Sequence, residues 1–308
     1  MQRRFRIGTR GSKLALIQAH MVAGHVARVL GAPVDEVTEL VIFKTQGDIV
    51  QDRNLSEIGG KGLFTFELEE ALHNGSIDFA VHSMKDMPTA LPDALTIDCI
   101  LEREDPRDAF ISSKASSLAT LPKGAVVGTS SLRRAAQVLA KRPDVTIVPF
   151  RGNVDTRLKK LSDGVADATM LAMAGLNRMD LSDRVTAPLS PDEMLPAVAQ
   201  GAIGVERRKA DEEGAAVLHA FHHAESGVRI SAERALLAVL DGSCRTPIAA
   251  LAELNGKRMS LRAMILTPDG KEVLETTRDG LASDAVALGE DAGRELKSRA
   301  GPHFFKLP

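Results

Sequence analysis

The sequence predicts a mixed α/β protein, with two similar layered domains followed by a small α+β domain. Three observations carry this prediction. Short β-branched runs alternate with helical patterns through the first two-thirds of the chain. A set of glycine-centred segments recurs in the same order. A proline-rich stretch (Pro188, Pro191, Pro196) then breaks the pattern before a run of longer strands. A chain of 308 residues has room for two or three such domains.

The elements follow from local pattern. Phe5–Ile7, Leu40–Phe43, Phe79–Val81, Val126–Val127, Thr146–Val148 and Thr169–Leu171 are short apolar runs, as expected of buried parallel strands flanked by helices. Lys13–Val29, Phe64–His73, Leu132–Lys141 and Val154–Leu161 carry helical spacing. A third unit begins near Ala224, with a helix over Ser231–Leu240 and strands over Ile248–Leu254, Leu261–Leu266 and Val273–Thr277. Pro268-Asp269-Gly270 supplies the turn between the last two strands, and a helix over Ala282–Arg299 closes the chain.

The repeat sharpens the division. Gly8-Thr9-Arg10-Gly11-Ser12, closing a strand and opening a helix, recurs as Gly128-Thr129-Ser130-Ser131. Val41–Phe43 with Gly47 recurs as Thr146–Val148 with Gly152, and Gly75–Asp78 with Met84 recurs as Gly164–Asp167 with Met173. The second copy has shorter connectors, mainly because it lacks the polar Asp48–Lys61 segment. The expected domains are 1–101 with a return segment at 202–219, then 106–195, then 224–308. The first two are read as facing each other across a cleft, with Asp48–Gly60 as a lid.

Composition excludes several classes. With 39 Lys+Arg against 41 Asp+Glu the net charge is −2, which argues against a nucleic-acid binder. Aromatic residues make up 3%, with no Trp or Tyr, too few for base-stacking platforms. Two cysteines, Cys99 and Cys244, cannot make a disulfide scaffold. No apolar run is long enough to span a membrane or serve as a signal sequence, so a cytoplasmic setting is expected. His219, His222 and His223 cluster in sequence, but no further ligand pattern completes a metal site. Gly59-Gly60-Lys61-Gly62 resembles half a phosphate loop, with Leu55 and Gly62 in place of its leading Gly and closing Ser/Thr.

Cations gather where strands meet helices: Arg10 and Lys13 after the first strand, Arg133 and Arg134 in its repeat, then Lys85, Arg151, Arg157 and Arg178. Ligands of open α/β sheets bind beyond the carboxyl ends of the strands, where helix N-termini favour anions, and Arg grips carboxylates with a planar fork. The set therefore points to a polyanionic ligand. Asp86, beside Ser83, Met84 and Lys85, is either a carboxylate that orients an amine or stabilises positive charge, or a helix cap or partner of Lys85. Cys244, in Asp241-Gly-Ser-Cys-Arg-Thr-Pro247, is either a buried small hydrophobe or a loop nucleophile beside Arg245. Cys99, within Leu95–Leu101, is read as packing.

Taken together, these segments resemble the porphobilinogen deaminase (hydroxymethylbilane synthase) family over nearly the whole chain. The matching motifs are Thr9-Arg10-Gly-Ser12-Lys-Leu14-Ala15, Gly59-Gly-Lys61-Gly-Leu-Phe64 and Val81-His-Ser83-Met-Lys85-Asp86-Met-Pro88. They continue with Arg103-Glu-Asp-Pro-Arg107-Asp108, Gly128-Thr129-Ser-Ser131-Leu-Arg133-Arg134, Arg151-Gly-Asn-Val-Asp-Thr-Arg157-Leu, Leu195-Pro-Ala-Val-Ala-Gln200-Gly and Gly242-Ser-Cys244.

The resemblance implies two periplasmic-binding-protein-like domains, a C-terminal domain and a monomeric enzyme. It implies that four porphobilinogen molecules are joined head to tail with loss of ammonia, and the chain is then hydrolysed free as 1-hydroxymethylbilane. A dipyrromethane cofactor would be tethered through a thioether to Cys244, and Asp86 would be catalytic at each step, facing the cationic azafulvene left when the amine departs. Lys85, Ser83, Thr129, Ser131, Arg133, Arg134 and Arg157 would hold the cofactor. Arg10, Ser12, Gln18, Arg151, Arg157, Arg178 and Gln200 would bind substrate, and Lys61 would belong to the lid. The sequence departs from the family pattern at Glu57, Phe66 and Ala199. Two other readings use the same arginines: a sensor clamp for an anionic metabolite, and an RNA- or phosphate-binding protein.

Overall fold

The computed structural model describes residues 3–45, 47, 65–241, 246–301 and 304–305. The expected lid, with Glu57 and Lys61, and the Cys244 loop at Gly242–Arg245 lie outside the described residues. The chain divides into two compact units. The first comprises the described residues within Met1–Arg53, Gly59–Glu104 and Ala202–Gly227, and the second those within Asp105–Gly201 and Val228–Pro308.

The first unit holds a five-stranded sheet. Its strands are β1 (Phe5–Arg10), β2 (Thr38–Phe43), β3 (Phe79–Ser83), β4 (Leu95–Ile100) and the later β10 (Ile203–Arg208), in the order β2-β1-β3-β10-β4. β1 is parallel to β2 and β3, whereas β10 runs antiparallel to β3 and β4. Alternation along the strands builds a core on each face. Phe5, Ile7, Phe79, Val81 and Cys99 pack with Ala19, Val22 and Val26 of the helix Lys13–Leu30. Ala80 and Leu95 face the other way, onto Leu68, Ala71 and Leu72 of the helix Phe66–His73.

The second unit repeats the plan. Strands β5 (Asp108–Ser112), β6 (Val126–Gly128), β7 (Thr146–Val148), β8 (Ala168–Ala172) and β9 (Ala187–Pro188) form a sheet in the order β7-β6-β8-β5-β9. Position for position, this is the order and direction of the first sheet, with β6 parallel to β7 and β8, and β5 antiparallel to β8 and β9. The repeated glycines share a physical cause. A Cβ on Gly8 would lie 2.4 Å from the Ile77 side chain, and one on Gly128 would lie 2.5 Å from the Phe150 ring, so a side chain at either strand end would force its core neighbour to shift.

The antiparallel members, β10 and β5, and the edge strands β4 and β9 are additional to the strands that the local pattern marks. Their partners are remote in sequence, and hydrophobic periodicity carries no record of such pairing. The helices Met173–Arg178 and Glu212–His219 are also additional, and the third-unit helix starts earlier, spanning Ala224–Val239.

After that helix, β11 (Ile248–Asn255), β12 (Arg258–Leu266) and β13 (Val273–Leu281) form an antiparallel meander backed by the helix Ala285–Ala300. Leu195 packs with Ala249 and Leu251, and Pro196 accepts a hydrogen bond from the Ala250 amide at 3.1 Å, so this sheet is tied to the rest of the second unit. Glu233, fully buried, reinforces the tie by accepting from the amides of Ala199 (2.7 Å) and Ala252 (2.8 Å). No helix among the described residues is long and apolar enough to cross a membrane.

Candidate active site

The parallel strands β1 and β3 end at the same edge of the first sheet. β1 ends on Arg10, half-buried, and two residues on comes Ser12, whose hydroxyl oxygen caps the helix Lys13–Leu30 by accepting from the Ala15 amide at 3.3 Å. Capping uses a lone pair and leaves the Ser12 O–H free to donate, at a helix end that attracts anions. One turn into that helix, the buried Gln18 carboxamide lies 3.0 Å from the Ser83 hydroxyl. That contact joins the first helix to the end of β3.

Directly after Ser83, a three-residue 3₁₀ turn, Met84–Asp86, presents Lys85 and Asp86. The turn is anchored by its first residue. The Met84 amide donates to Ala202 at 3.0 Å, and the Met84 side chain occupies the place a Cβ would take on Gly204, 2.2 Å away. Asp86 itself is exposed, and among the described residues it forms no hydrogen bond or ion pair. It neither caps a helix nor pairs with Lys85, the two structural roles its position allowed.

The second unit is built alike. Thr129 follows β6, accepts from the Ser131 amide at 3.2 Å and is buried, while Ser131 caps the helix Leu132–Lys141. Arg133 and Arg134, expected among the ligand-binding cations, turn inward onto Asp108. Arg133 Nη1 reaches one carboxylate oxygen at 2.7 Å, and Arg134 Nη2 reaches the other at 2.6 Å. They also donate to the Leu195 and Met170 carbonyls, at 2.8 and 2.9 Å. Gln200 adds a third donor to Asp108 at 3.0 Å.

Burial alone would raise the Asp108 pKa, but the two guanidiniums outweigh it and hold this carboxyl below the ordinary aspartate range. The motifs alone give Asp108 no role, although it stands in one of them. The available signal was the adjacent Arg133-Arg134 pair, which cannot be buried without a counter-charge.

The remaining expected residues lie at the same sheet edge or follow it. Arg151 comes after β7, and its Nη1 is buried with no hydrogen-bond partner among the described residues, as is Nε of Arg133. Arg157 donates to Gly152 at 2.7 Å, and Arg178 to Gly201 at 2.8 Å. Unsatisfied buried donors fit a group rich in carboxylates. Cys99 has no such setting: it is fully buried, and burial next to Asp98 pushes its thiol up to about 12, as its reading as a packing residue requires. His222 and His223 serve the backbone and Ser226, the former accepting from the Ile100 amide at 3.1 Å.

Comparison with known proteins decides the family. A model described as porphobilinogen deaminase, dipyrromethane cofactor binding domain, matches residues 5–216, and one for the porphobilinogen deaminase C-terminal domain matches residues 228–298. The chain belongs to the porphobilinogen deaminase family. Its similarity to individual porphobilinogen deaminases runs nearly end to end. It is 57% identical to that of Paracoccus denitrificans over 304 residues, covering 99% of this chain and 97% of the relative. It is 56% identical to that of Nitrobacter hamburgensis over 301 residues, 98% and 95% of the two chains, and 53% identical to the chloroplastic porphobilinogen deaminase of Pisum sativum, 97% and 83%.

Among solved structures, the VFT2 domain of Bordetella pertussis BvgS is 13% identical with a TM-score of 0.44, covering 72% of this chain and 90% of that one. A methionine-bound nutrient binding protein from Burkholderia cenocepacia is 15% identical with a TM-score of 0.44, covering 72% and 93%. The family belongs to tetrapyrrole biosynthesis, and the match to its dipyrromethane cofactor binding domain spans both five-stranded sheets.

Proposed function

We propose that this chain is the transferase that joins four porphobilinogen molecules head to tail, releases ammonia at each joining and hydrolyses the product free as 1-hydroxymethylbilane. Its cofactor is covalently held by the Cys244 thioether, it works as a cytoplasmic monomer, and it uses no nucleic acid or metal. Its domains are 1–101 with 202–219, 106–195, and 224–308.

The observation that carries the catalytic reading is Asp86. A carboxylate on a turn fixed by β10, exposed and without a competing partner among the described residues, is available to a substrate amine. It orients the aminomethyl group, stabilises the positive charge that grows on the substrate carbon as nitrogen leaves, and moves a proton to the departing amine. Dipyrromethane, when bound, supplies the pyrrole carbon to which the first substrate is joined.

The other residues bind and orient. Porphobilinogen carries an acetate and a propionate, so the growing product accumulates carboxylates. Arg10, Arg151, Arg157 and Arg178 grip them as forks, with Ser12, Gln18 and Gln200 as neutral donors. Lys85, Ser83, Thr129 and Ser131 hold the cofactor together with Arg133 and Arg134, whose guanidiniums Asp108 fixes in place, and Lys61 acts from the lid. Arg151 Nη1 and Arg133 Nε, buried with no hydrogen-bond partner among the described residues, support that assignment.

Ammonia release by an Asp86→Asn variant still loaded with cofactor tests the reading. Loss of turnover with the fold retained is expected, and near-normal release would overturn it.

A further inference from the structure

The inner face of β3 carries an ionisable pair that none of the roles above uses. His82 and Glu206 are 6% and 0% exposed, and His82 Nε2 lies 3.0 Å from Glu206 Oε2. The second oxygen, Oε1, is buried with no hydrogen-bond partner among the described residues. Glu69, on the helix packed over this face, adds a second carboxylate nearby; burial pushes its pKa up against a hydrogen bond from Thr65, and the charge of Glu206 adds a smaller push in the same direction. Burying a carboxylate this deeply is costly, and an apolar pair of similar volume would often be at least as stable. The placement of the pair says what it does.

β3 is held unevenly. Its pairing with β1 covers only Phe79 and Ala80, while β10 accompanies it from Phe79 to Ser83. At the end that launches the Asp86 turn, the strand is therefore secured by β10 alone on its hydrogen-bonding edges. His82 faces Gly204 in that register, a residue with no side chain to grip it, because Met84 fills the space. The His82 ring reaches diagonally to Glu206 instead, tying the last residues of β3 to β10 on the side opposite Val81.

We propose that His82 and Glu206 are positioning residues for the Asp86 carboxylate: their buried contact fixes the end of β3 against β10 and so sets where the Met84–Asp86 turn presents its acid. This rests on the catalytic reading of Asp86. The pair touches no reacting atom. Losing it loosens the turn without removing a substrate contact, so kcat falls while KM stays.

The test uses purified holoenzyme carrying Glu206→Gln or His82→Gln, alone and combined with Asp86→Glu, together with Asp86→Asn. On the parent chain each pair variant is expected to lower kcat about tenfold, with KM for porphobilinogen within about twofold. On the Asp86→Glu background the same change should cost less than about twofold, because residues acting through one group are not additive. Hydrogen exchange gives a second readout that needs no turnover. The Met84 amide, bonded to Ala202, should exchange at least about tenfold faster in Glu206→Gln, with Val127 in the second sheet unchanged. Wild-type kcat in both pair variants, losses that multiply with Asp86→Glu, or equal acceleration at Met84 and Val127 would each overturn the proposal. If Asp86→Asn turns over normally, the catalytic reading fails instead, and Met84 exchange still reports whether the pair holds the turn.

Discussion

Arg134 and Asp108 meet at 2.6 Å in a place with no solvent, and the same carboxylate also takes Arg133 at 2.7 Å. Two guanidiniums on adjacent residues of one helix can be buried together only because β5 brings a carboxylate between them. Removing that charge leaves two buried cations sharing a neutral amide. Asp108→Asn is expected to cost about 3–5 kcal/mol of stability, read from urea unfolding of the two proteins. A loss below about 1 kcal/mol would mean that the triad is not what holds this helix to β5 and β8.

The same triad predicts a pH dependence. The folded-state pKa of Asp108 is depressed, so on acidification the unfolded chain takes up this proton first. The stabilisation is complete above the ordinary aspartate pKa of about 3.9 and drains away as pH falls below it towards the folded value. The stability gap between the parent chain and Asp108→Asn should therefore be constant from neutral pH to about 5 and narrow below about 4. A gap that widens in acid would contradict the assignment.

Ala199 occupies a left-handed conformation, with φ of 60°, that glycine adopts more readily than any residue with a Cβ. The Cβ is a liability there, partly offset by the flexibility a glycine would add to the unfolded chain. Ala199→Gly should stabilise the protein by about 0.5–1 kcal/mol and raise its melting temperature. A lower melting temperature would show that the buried methyl contributes more than the strain costs.

Gly128 has the opposite requirement. Its φ is unexceptional, but the Phe150 ring stands where a Cβ would go. Gly128→Ala should cost about 1–3 kcal/mol, and trimming the obstruction in a Gly128→Ala, Phe150→Leu double variant should cost less than the two single losses summed. Strict additivity in thermal melts would separate the two residues.

The repeat was legible because its signals are local. A glycine needed at a strand end and a serine that caps the following helix leave the same trace in both halves, at Gly8 and Ser12 and again at Gly128 and Ser131. β10 was not legible as a strand, since its only reason to extend is the company of β3 and β4. The site divides in the same way. Asp86 and the strand-end cations follow from motif and topology, but the inward turn of Arg133 and Arg134 depends on Asp108, which arrives from a different strand. The His82–Glu206 contact is likewise a product of antiparallel register, and no spacing within either segment announces it.

In the proposed function this chain works through two substrate-derived pyrrole units carried on Cys244. The most direct measurement is the mass of the peptide containing Cys244, before and after incubation of the purified protein with porphobilinogen. An added mass of two porphobilinogen-derived pyrrole units is expected on that residue, already present or gained during incubation. An unmodified Cys244 in protein that is releasing ammonia from porphobilinogen would contradict it.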